Sequence, residues 1–430
     1  MAMKVTVQTR KLIKPSISTP LNLRYYKIGF IDELAPKMNV SLVLFFRAST
    51  NFNQNSIVEL EKSFGKTLSI LYPLAGRYMK DLHMIDCNDQ GAEFIQAKVN
   101  MTIHEIIDQK MNLKLVNELI PLKVSACDEV TDPTLAAQVT TFQCGGVALG
   151  ISIAHRIADA STACTFLNQW AALCRRDTSF EFYGLGFSSS KFFPARGLPC
   201  MDFISKPIND HLYVTKKLSF NESEISNLKA MVMRNRKYCS AVSKVQVVSA
   251  LIWKALICVD YATHGHLRDS RLSQPVNLRE KTESPIPKNA CGNLWGFKLT
   301  SWRASNMSLE FEELVYLLTD SIKKTIKDYS KVRHDSKDGQ TVVLNSYPLS
   351  KNNSDNANVI LLSSWCKFPF YESDFGFGKP ICLSLESIPV KKFVYLVDDA
   401  EGGGVEAYVY LGVDEVPYFE QDVNIKAFAA

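Results

Sequence analysis

A chain of 430 residues is too long for one ordinary hydrophobic core and suits two domains of about 200 residues each, while 46% hydrophobic and 22% charged residues exclude extensive disorder. Its 49 basic and 44 acidic residues leave a net charge of +5 and are interspersed, which excludes the basic arm or stripe that a nucleic-acid partner needs. Eleven cysteines, scattered and without a CxxC pair, exclude a disulfide framework and a zinc site and point to the reduced cytosol.

In chain order, the N-terminal MAMKVTVQTRKLIKPSISTP starts basic but lacks the apolar core of a signal peptide. No run of about 18 apolar residues follows it, and the C-terminal AFAA reads as neither anchor nor peroxisomal address. A cytoplasmic protein without a membrane partner is expected. Val40 to Phe46 (VSLVLFF) reads as a buried strand, and Ser56 to Leu71 repeats apolar residues at helical spacing until Pro73 and Gly76 of YPLAGR impose a tight turn. Ala136 to Ala154 predicts a hairpin turning at Gly145 and Gly146 into a strand buried on both faces, with His155 at its end. Ala163, Phe166, Leu167, Trp170 and Cys174 form the apolar stripe of a helix over Ala160 to Cys174. From about Arg175 to Pro207 the periodicity fades among Ser188 to Ser190, Pro194, Gly197 and Pro199, as a long crossover would. Helices over Ser223 to Arg236 and Ser243 to Cys258 follow, then strands over Phe393 to Val397 and Glu406 to Leu411. The expected organisation is α/β, with an N-terminal domain over residues 1–185, a linker over 186–212 and a C-terminal domain over 213–430, each a mixed sheet with flanking helices.

Three of the seven histidines have an aspartate four residues on: His104 with Asp108, His155 with Asp159 and His334 with Asp338. Chance gives that pattern to roughly one histidine in twenty at ordinary composition, so context has to select. His334 lies in the polar KVRHDSKDGQ, read as a solvated loop, and His104 in an amphipathic segment at the surface. His155 follows a buried strand and opens onto a helix, and strand ends in α/β folds hold side chains rigidly beside a cleft. On placement alone it is as readily a satisfied core histidine as a general base. Asp159, just before Ala160, is better placed to cap the helix than to complete a dyad, and a buried carboxylate calls for a partner such as arginine. Tyr371 to Pro380 (YESDFGFGKP) is a structured loop whose glycines lack the spacing of a phosphate cradle. There is no G-x-S-x-G nucleophile elbow.

Together, HRIAD at His155 to Asp159 and DFGFG at Asp374 to Gly378 resemble the paired HxxxD and DFGWG signatures of the plant BAHD acyltransferases in order and spacing. YPLAGR at Tyr72 to Arg77, IDCNDQGAEF at Ile85 to Phe94, VNLR at Val276 to Arg279, Gly292-Asn293 and Ser363-Ser364-Trp365 extend the resemblance over nearly the whole chain. KPSISTP, the CGG before the strand and IADA after the histidine are most similar to the branch that O-acetylates alkaloids. The resemblance implies two chloramphenicol-acetyltransferase-like domains with a channel between them, along which acyl-CoA and an acceptor alcohol reach His155. It implies His155 as general base: an imidazole of pKa about 6.5 takes the hydroxyl proton during attack on the thioester and returns it to the departing thiolate.

It further implies that Asp159 pairs with Arg279, that Ser363 and Trp365 hold the tetrahedral oxyanion, and that Ser243 and Asn293 lie near bound CoA. Asp374 joins His155 and Asp159 in the catalytic set, ranked below His155 because the family's loop lies away from the reacting atoms. The family's tryptophan is Phe377 here, which keeps the apolar anchor and loses an N–H donor. The expected function is transfer of an acetyl group from acetyl-CoA, with no permanently bound cofactor and no metal, to a hydroxyl of a plant specialised metabolite, a monoterpenoid indole alkaloid, by a monomer. The alternatives are malonyl- or another acyl-CoA, a non-alkaloid acceptor, or a catalytically silent ligand-binding protein.

Overall fold

Strands that read as unbroken apolar runs belong in the middle of a sheet, where both faces are covered. The computed structural model, which describes residues 3–107, 113–127, 129–177, 186–201, 212–234, 242–306, 309–347 and 357–429, puts Asn39–Phe46 and Val147–Ala154 there, every residue of both strands buried. In chain order the first strands are β1 (Val5–Ile13), β2 (Tyr25–Lys27), β3 (Asn39–Phe46), β4 (Arg77–Met79), β5 (Met84–Asp86), β6 (Ala92–Val99), β7 (Leu135–Phe142) and β8 (Val147–Ala154). There follow β9 (Tyr213–Phe220), β10 (Ser270–Asn277), β11 (Trp295–Trp302), β12 (Asn358–Ser364), β13 (Cys382–Leu385), β14 (Phe393–Asp398) and β15 (Val405–Gly412).

The chain divides into two compact units. Unit 1 comprises Met1–Phe203, Ile286–Leu294 and Phe368–Ser387. Its main sheet has the order β1-β6-β7-β8-β3-β13, antiparallel except for the parallel pair β6–β7, and β2-β5-β4 form a small second sheet. The β7–β8 hairpin turns at Gly145, whose φ of 81° is a left-handed conformation that glycine adopts without strain. The helices Gln54–Ile70 and Ala160–Cys174 pack together on this sheet, with the Phe64 ring 4.9 Å from Trp170 and 5.6 Å from Phe94 of β6. Full burial of each such ring contributes about 1.5–3 kcal/mol. The Trp170 indole N–H keeps a partner in the Leu60 carbonyl at 3.1 Å.

Unit 2 comprises Ile204–Pro285, Trp295–Lys367 and Ile388–Ala430. Its sheet has the order β11-β10-β12-β14-β15-β9, with β10–β12 and β12–β14 parallel. The helix Lys244–His264 fills the core with Val247, Leu251, Trp253 and Leu256 against Leu272, Ile360, Val394 and Val409. By length and composition this helix could cross a membrane, but 67% of its most apolar window is buried inside the protein.

The structure departs from the sequence-based organisation in four places. Segments 286–294 and 368–387, the second carrying DFGFG, pack with unit 1 rather than with 213–430, because β13 pairs with β3 from Cys382↔Phe45 to Leu385↔Leu42. The helix expected to stop at Cys258 runs on to His264 before Gly265 caps it at φ 76°. It can do so because Asp260, 2% exposed, is bound by Lys392 at 2.7 Å and by the Arg268 guanidinium. His334 lies in a turn as expected, whereas Gly339 belongs to the helix Lys337–Asn345, whose N-terminus Ser336 caps. Of the expected crossover, residues 178–185 and 202–211 lie outside the described residues. Within its described part are the short helix Ser189–Phe192 and a bridge from Phe187 to Cys291.

Candidate active site

His155 is the first residue past β8, where the chain leaves the sheet through a turn. Both its backbone groups are held: the N–H donates to the Met38 carbonyl at 2.9 Å, and the carbonyl accepts from Asn293 Nδ2 at 2.6 Å. Arg156 braces the turn from inside, donating to the carbonyls of Glu33 at 2.9 Å and Ala35 at 3.1 Å. Arg156, Ile157, Ala158 and Asp159 are all buried, whereas His155 keeps intermediate exposure. Desolvation pulls the imidazole pKa below 6.5, and the nearby Asp159 charge opposes it only in part. A neutral ring able to accept a proton near neutral pH is the result.

Asp159 is the N-cap of the helix Ala160–Cys174, as its position before Ala160 predicts. Its Oδ1 accepts from the Thr162 N–H at 2.8 Å and the Thr162 hydroxyl at 2.9 Å, and its Oδ2 from the Leu294 N–H at 3.2 Å. The same threonine hydroxyl accepts from the Gly292 N–H at 3.1 Å and lies 3.0 Å from the Gly292 carbonyl, which shares its single proton with Asp159. Residues 292–294 are thereby stitched to the start of the helix that follows His155.

Between them sits Asn293, expected from the resemblance to lie near bound CoA. Asn293 has no exposed surface, and its Nδ2 donates to the His155 carbonyl and to Asp32 Oδ1, the latter at 2.8 Å. Asp32 is a residue that the sequence reading passed over. Its Oδ1 also accepts from the Asn293 N–H at 2.9 Å, and its Oδ2 from the Gly29 N–H at 2.8 Å and the Ser189 hydroxyl. Tyr26 completes the chain with its hydroxyl 2.8 Å from that of Ser189. Burial raises the Asp32 carboxyl to about 6 against the pull of these four donors. The available signal was two consecutive acids in the otherwise apolar IGFIDELAP, since buried carboxylates in such a setting must be satisfied by specific donors. Glu33 is the second: it accepts from the N–H groups of Arg196, Gly197 and Leu198 at 3.0–3.1 Å.

Asp374 is engaged within its own loop rather than with this group. Its Oδ1 accepts from the N–H groups of Gly376 at 2.8 Å and Gly378 at 3.0 Å, both glycines having positive φ, and its carbonyl accepts from Arg175. Phe375 packs on Trp170 and Phe46, and Phe377 on Phe46 and Phe52 with ring centroids 5.0 and 5.1 Å away. Phe46 is the last residue of β3, and Asn39, the first, is the one paired beside His155 through Ala154. At about 3.4 Å per residue the strand separates loop and histidine by about 24 Å. The carboxylate shapes the loop.

The remaining expected site residues belong to unit 2. Ser363 and Trp365 stand at the C-terminal end of β12, a strand flanked by parallel neighbours. Ser363 is partly exposed; Trp365 is 6% exposed, donates its backbone N–H to the Leu396 carbonyl at 2.7 Å and packs its ring on Tyr395. Arg279, 3% exposed, donates from its backbone N–H and Nη1 to Asn277 Oδ1 at 3.1 and 3.2 Å. Ser243, exposed, caps the helix Lys244–His264 in a reciprocal pair with Gln246. Among the described residues no group of three or more His, Cys, Asp or Glu is placed to hold a metal ion.

A family profile described as the Transferase family matches residues 3–425. A pelargonidin 3-O-(6-caffeoylglucoside) 5-O-(6-O-malonylglucoside) 4'''-malonyltransferase of Salvia splendens is 33% identical over 438 residues, covering 99% of this chain and 100% of its own length. Stemmadenine O-acetyltransferase of Catharanthus roseus is 30% identical over 429 residues, 98% of this chain and 97% of its own. Vinorine synthase of Rauvolfia serpentina is 30% identical over 422 residues, 97% and 96% of the two chains. The crystal structure of vinorine synthase matches with a TM-score of 0.84 at 28% identity over 99% of this chain and 98% of that one. The mixed α/β architecture of two sheet-rich units is thus the chloramphenicol-acetyltransferase-like fold.

Proposed function

The chain belongs to the BAHD acyltransferases of the Transferase family, which take their acyl group from acyl-CoA, and on that footing we propose that it acetylates a hydroxyl of a plant alkaloid with His155 as general base. The observation that carries this is the setting of His155: partly exposed at a strand end and gripped at both backbone groups, with desolvation drawing its imidazole pKa below 6.5. The acceptor hydroxyl lends its proton to the imidazole while its oxygen attacks the thioester carbonyl. The tetrahedral adduct collapses, the C–S bond breaks, and the imidazolium returns the proton to the CoA thiolate. No acyl-enzyme is needed, because the acceptor supplies the nucleophile.

In this proposal the Ser363 hydroxyl and Trp365 indole N–H donate to the oxyanion. Ser243 contributes to the CoA site, and the protein works as a cytoplasmic monomer. Acetyl and alkaloid are favoured by the similarity to stemmadenine O-acetyltransferase and by the alkaloid-branch residues KPSISTP and IADA. A malonyl donor with a glycosylated acceptor is the second reading, favoured by the 33% identity to the Salvia splendens malonyltransferase.

The test is thiol release from acetyl-, malonyl- and benzoyl-CoA across hydroxylated alkaloids and anthocyanin glucosides, comparing wild type with His155→Ala. Loss of a general base lowers the rate by about 10²–10⁴-fold. Undiminished turnover in the variant rejects the base, and a preference for malonyl-CoA with anthocyanins selects the second reading.

A further inference from the structure

A general base must lie within about 2.6–3.2 Å of the proton it removes, and a 1 Å misplacement can lower the rate about 10²-fold. His155 sits in a turn, so its precision has to come from what grips that turn. The grip on its carbonyl is Asn293, from a segment far away in the chain. Asn293 is itself oriented by Asp32: one carboxylate oxygen accepts both the Asn293 N–H and one Nδ2–H, which leaves the second Nδ2–H aimed at His155. Flipping the amide would set its oxygen against a carboxylate and a carbonyl, so the network admits one orientation. The other carboxylate oxygen is fixed by Gly29 and Ser189, and Ser189 in turn meets Tyr26.

We propose that Asp32 is a positioning residue for acyl transfer, its buried carboxylate acting through Asn293 to hold the backbone of His155 and hence the imidazole. The inference rests on His155 being the base. Burying a carboxylate is costly unless its lone pairs are met, and a cap for the five-residue helix Phe30–Leu34 does not require one with no exposed surface. The four donors that meet it converge from Gly29, Ser189 and Asn293, and one of those, Asn293, touches the catalytic turn.

The experiment measures kcat, KM for both substrates and thermal unfolding for Asp32→Ala, Asn293→Ala, the double variant and Thr67→Val. Thr67 is fully buried in the same unit and bonds only within its own helix among the hydrogen bonds described, so its variant controls for general destabilisation. Activity is taken per folded molecule, well below each melting temperature. Each of Asp32→Ala and Asn293→Ala should lower kcat about 10–100-fold with both KM values unchanged. The double variant should lose no more than the worse single one, since both act through one contact, and Thr67→Val should melt earlier at wild-type kcat. If Asp32→Ala does not fold, Ser189→Ala, which removes one donor from the carboxylate, decides: a several-fold fall in kcat at constant KM supports the proposal and wild-type kcat overturns it. Wild-type kcat in Asn293→Ala, or multiplicative losses in the double variant, also overturn it. His155→Ala separates the two levels. An active His155→Ala removes the base assignment, whereas an inactive one beside a fully active Asn293→Ala removes only the role of Asp32.

Discussion

Replacing Asp159 by alanine strips the cap from the helix Ala160–Cys174 and leaves the Leu294 N–H without its acceptor. Loss of an N-cap of this kind costs about 0.5–2 kcal/mol, and a buried N–H left unsatisfied about 1–3 kcal/mol. Leu294 has no exposed surface, so water does not replace the carboxylate there. The two losses together come to about 1.5–5 kcal/mol, or a fall in melting temperature of about 3–20 °C for a unit of this size. Asparagine keeps the oxygen that caps Thr162 and loses the acceptor for Leu294, so Asp159→Asn should fall between wild type and alanine. Calorimetry on the three proteins, with kcat measured below the transition, reads both effects. A melting temperature for Asp159→Ala within about 1 °C of wild type, or an asparagine variant as unstable as the alanine one, would refute the capping account.

The acid limb of kcat/KM should titrate below 6.5, because desolvation lowers the His155 pKa and so extends the neutral base toward lower pH. Asp159→Asn should move the limb lower still, since the aspartate charge favours the imidazolium. A limb above 6.5 in the wild type, or an upward shift in the variant, contradicts the sign. Phe377→Ala should cost about 3–5 kcal/mol by emptying the site between Phe46 and Phe52. Its kcat per folded molecule should stay near wild type, and a fall of more than about tenfold would bring the DFGFG loop back into the chemistry.

Periodicity and turn chemistry reveal those parts of the molecule that are settled by near neighbours. The runs Val40 to Phe46 and Gly146 to Ala154 are apolar on both faces, and they form the interior strands β3 and β8. The stripe at Ala163, Phe166, Leu167 and Trp170 is a helix face, and Asp159 caps it because the cap and the N–H it meets are three residues apart. The place of His155 at the end of a buried strand follows from the same local reasoning. The helix Lys244–His264 shows where that reasoning stops: it runs past Cys258 to include Asp260, which pairs with Lys392, 132 residues away.

What periodicity leaves open is every partner that arrives from a distance. Asp32 and Asn293 are 261 residues apart, and Tyr26 and Ser189 are 163. A carboxylate in an apolar stretch announces that it needs donors, and local spacing carries no information about which donors fold onto it. The same holds for Asp374, which by motif belongs with His155 and by packing sits at the far end of β3. The sequence by itself determined the strands β3, β7, β8, β14 and β15, the cap and the place of the histidine at a strand end, because backbone geometry and burial of one face are properties of neighbouring residues. Only the tertiary structure decided that residues 286–294 and 368–387 join unit 1 and that Asp32 and Asn293 hold the turn, because hydrogen bonds over such separations exist only once the chain has closed upon itself.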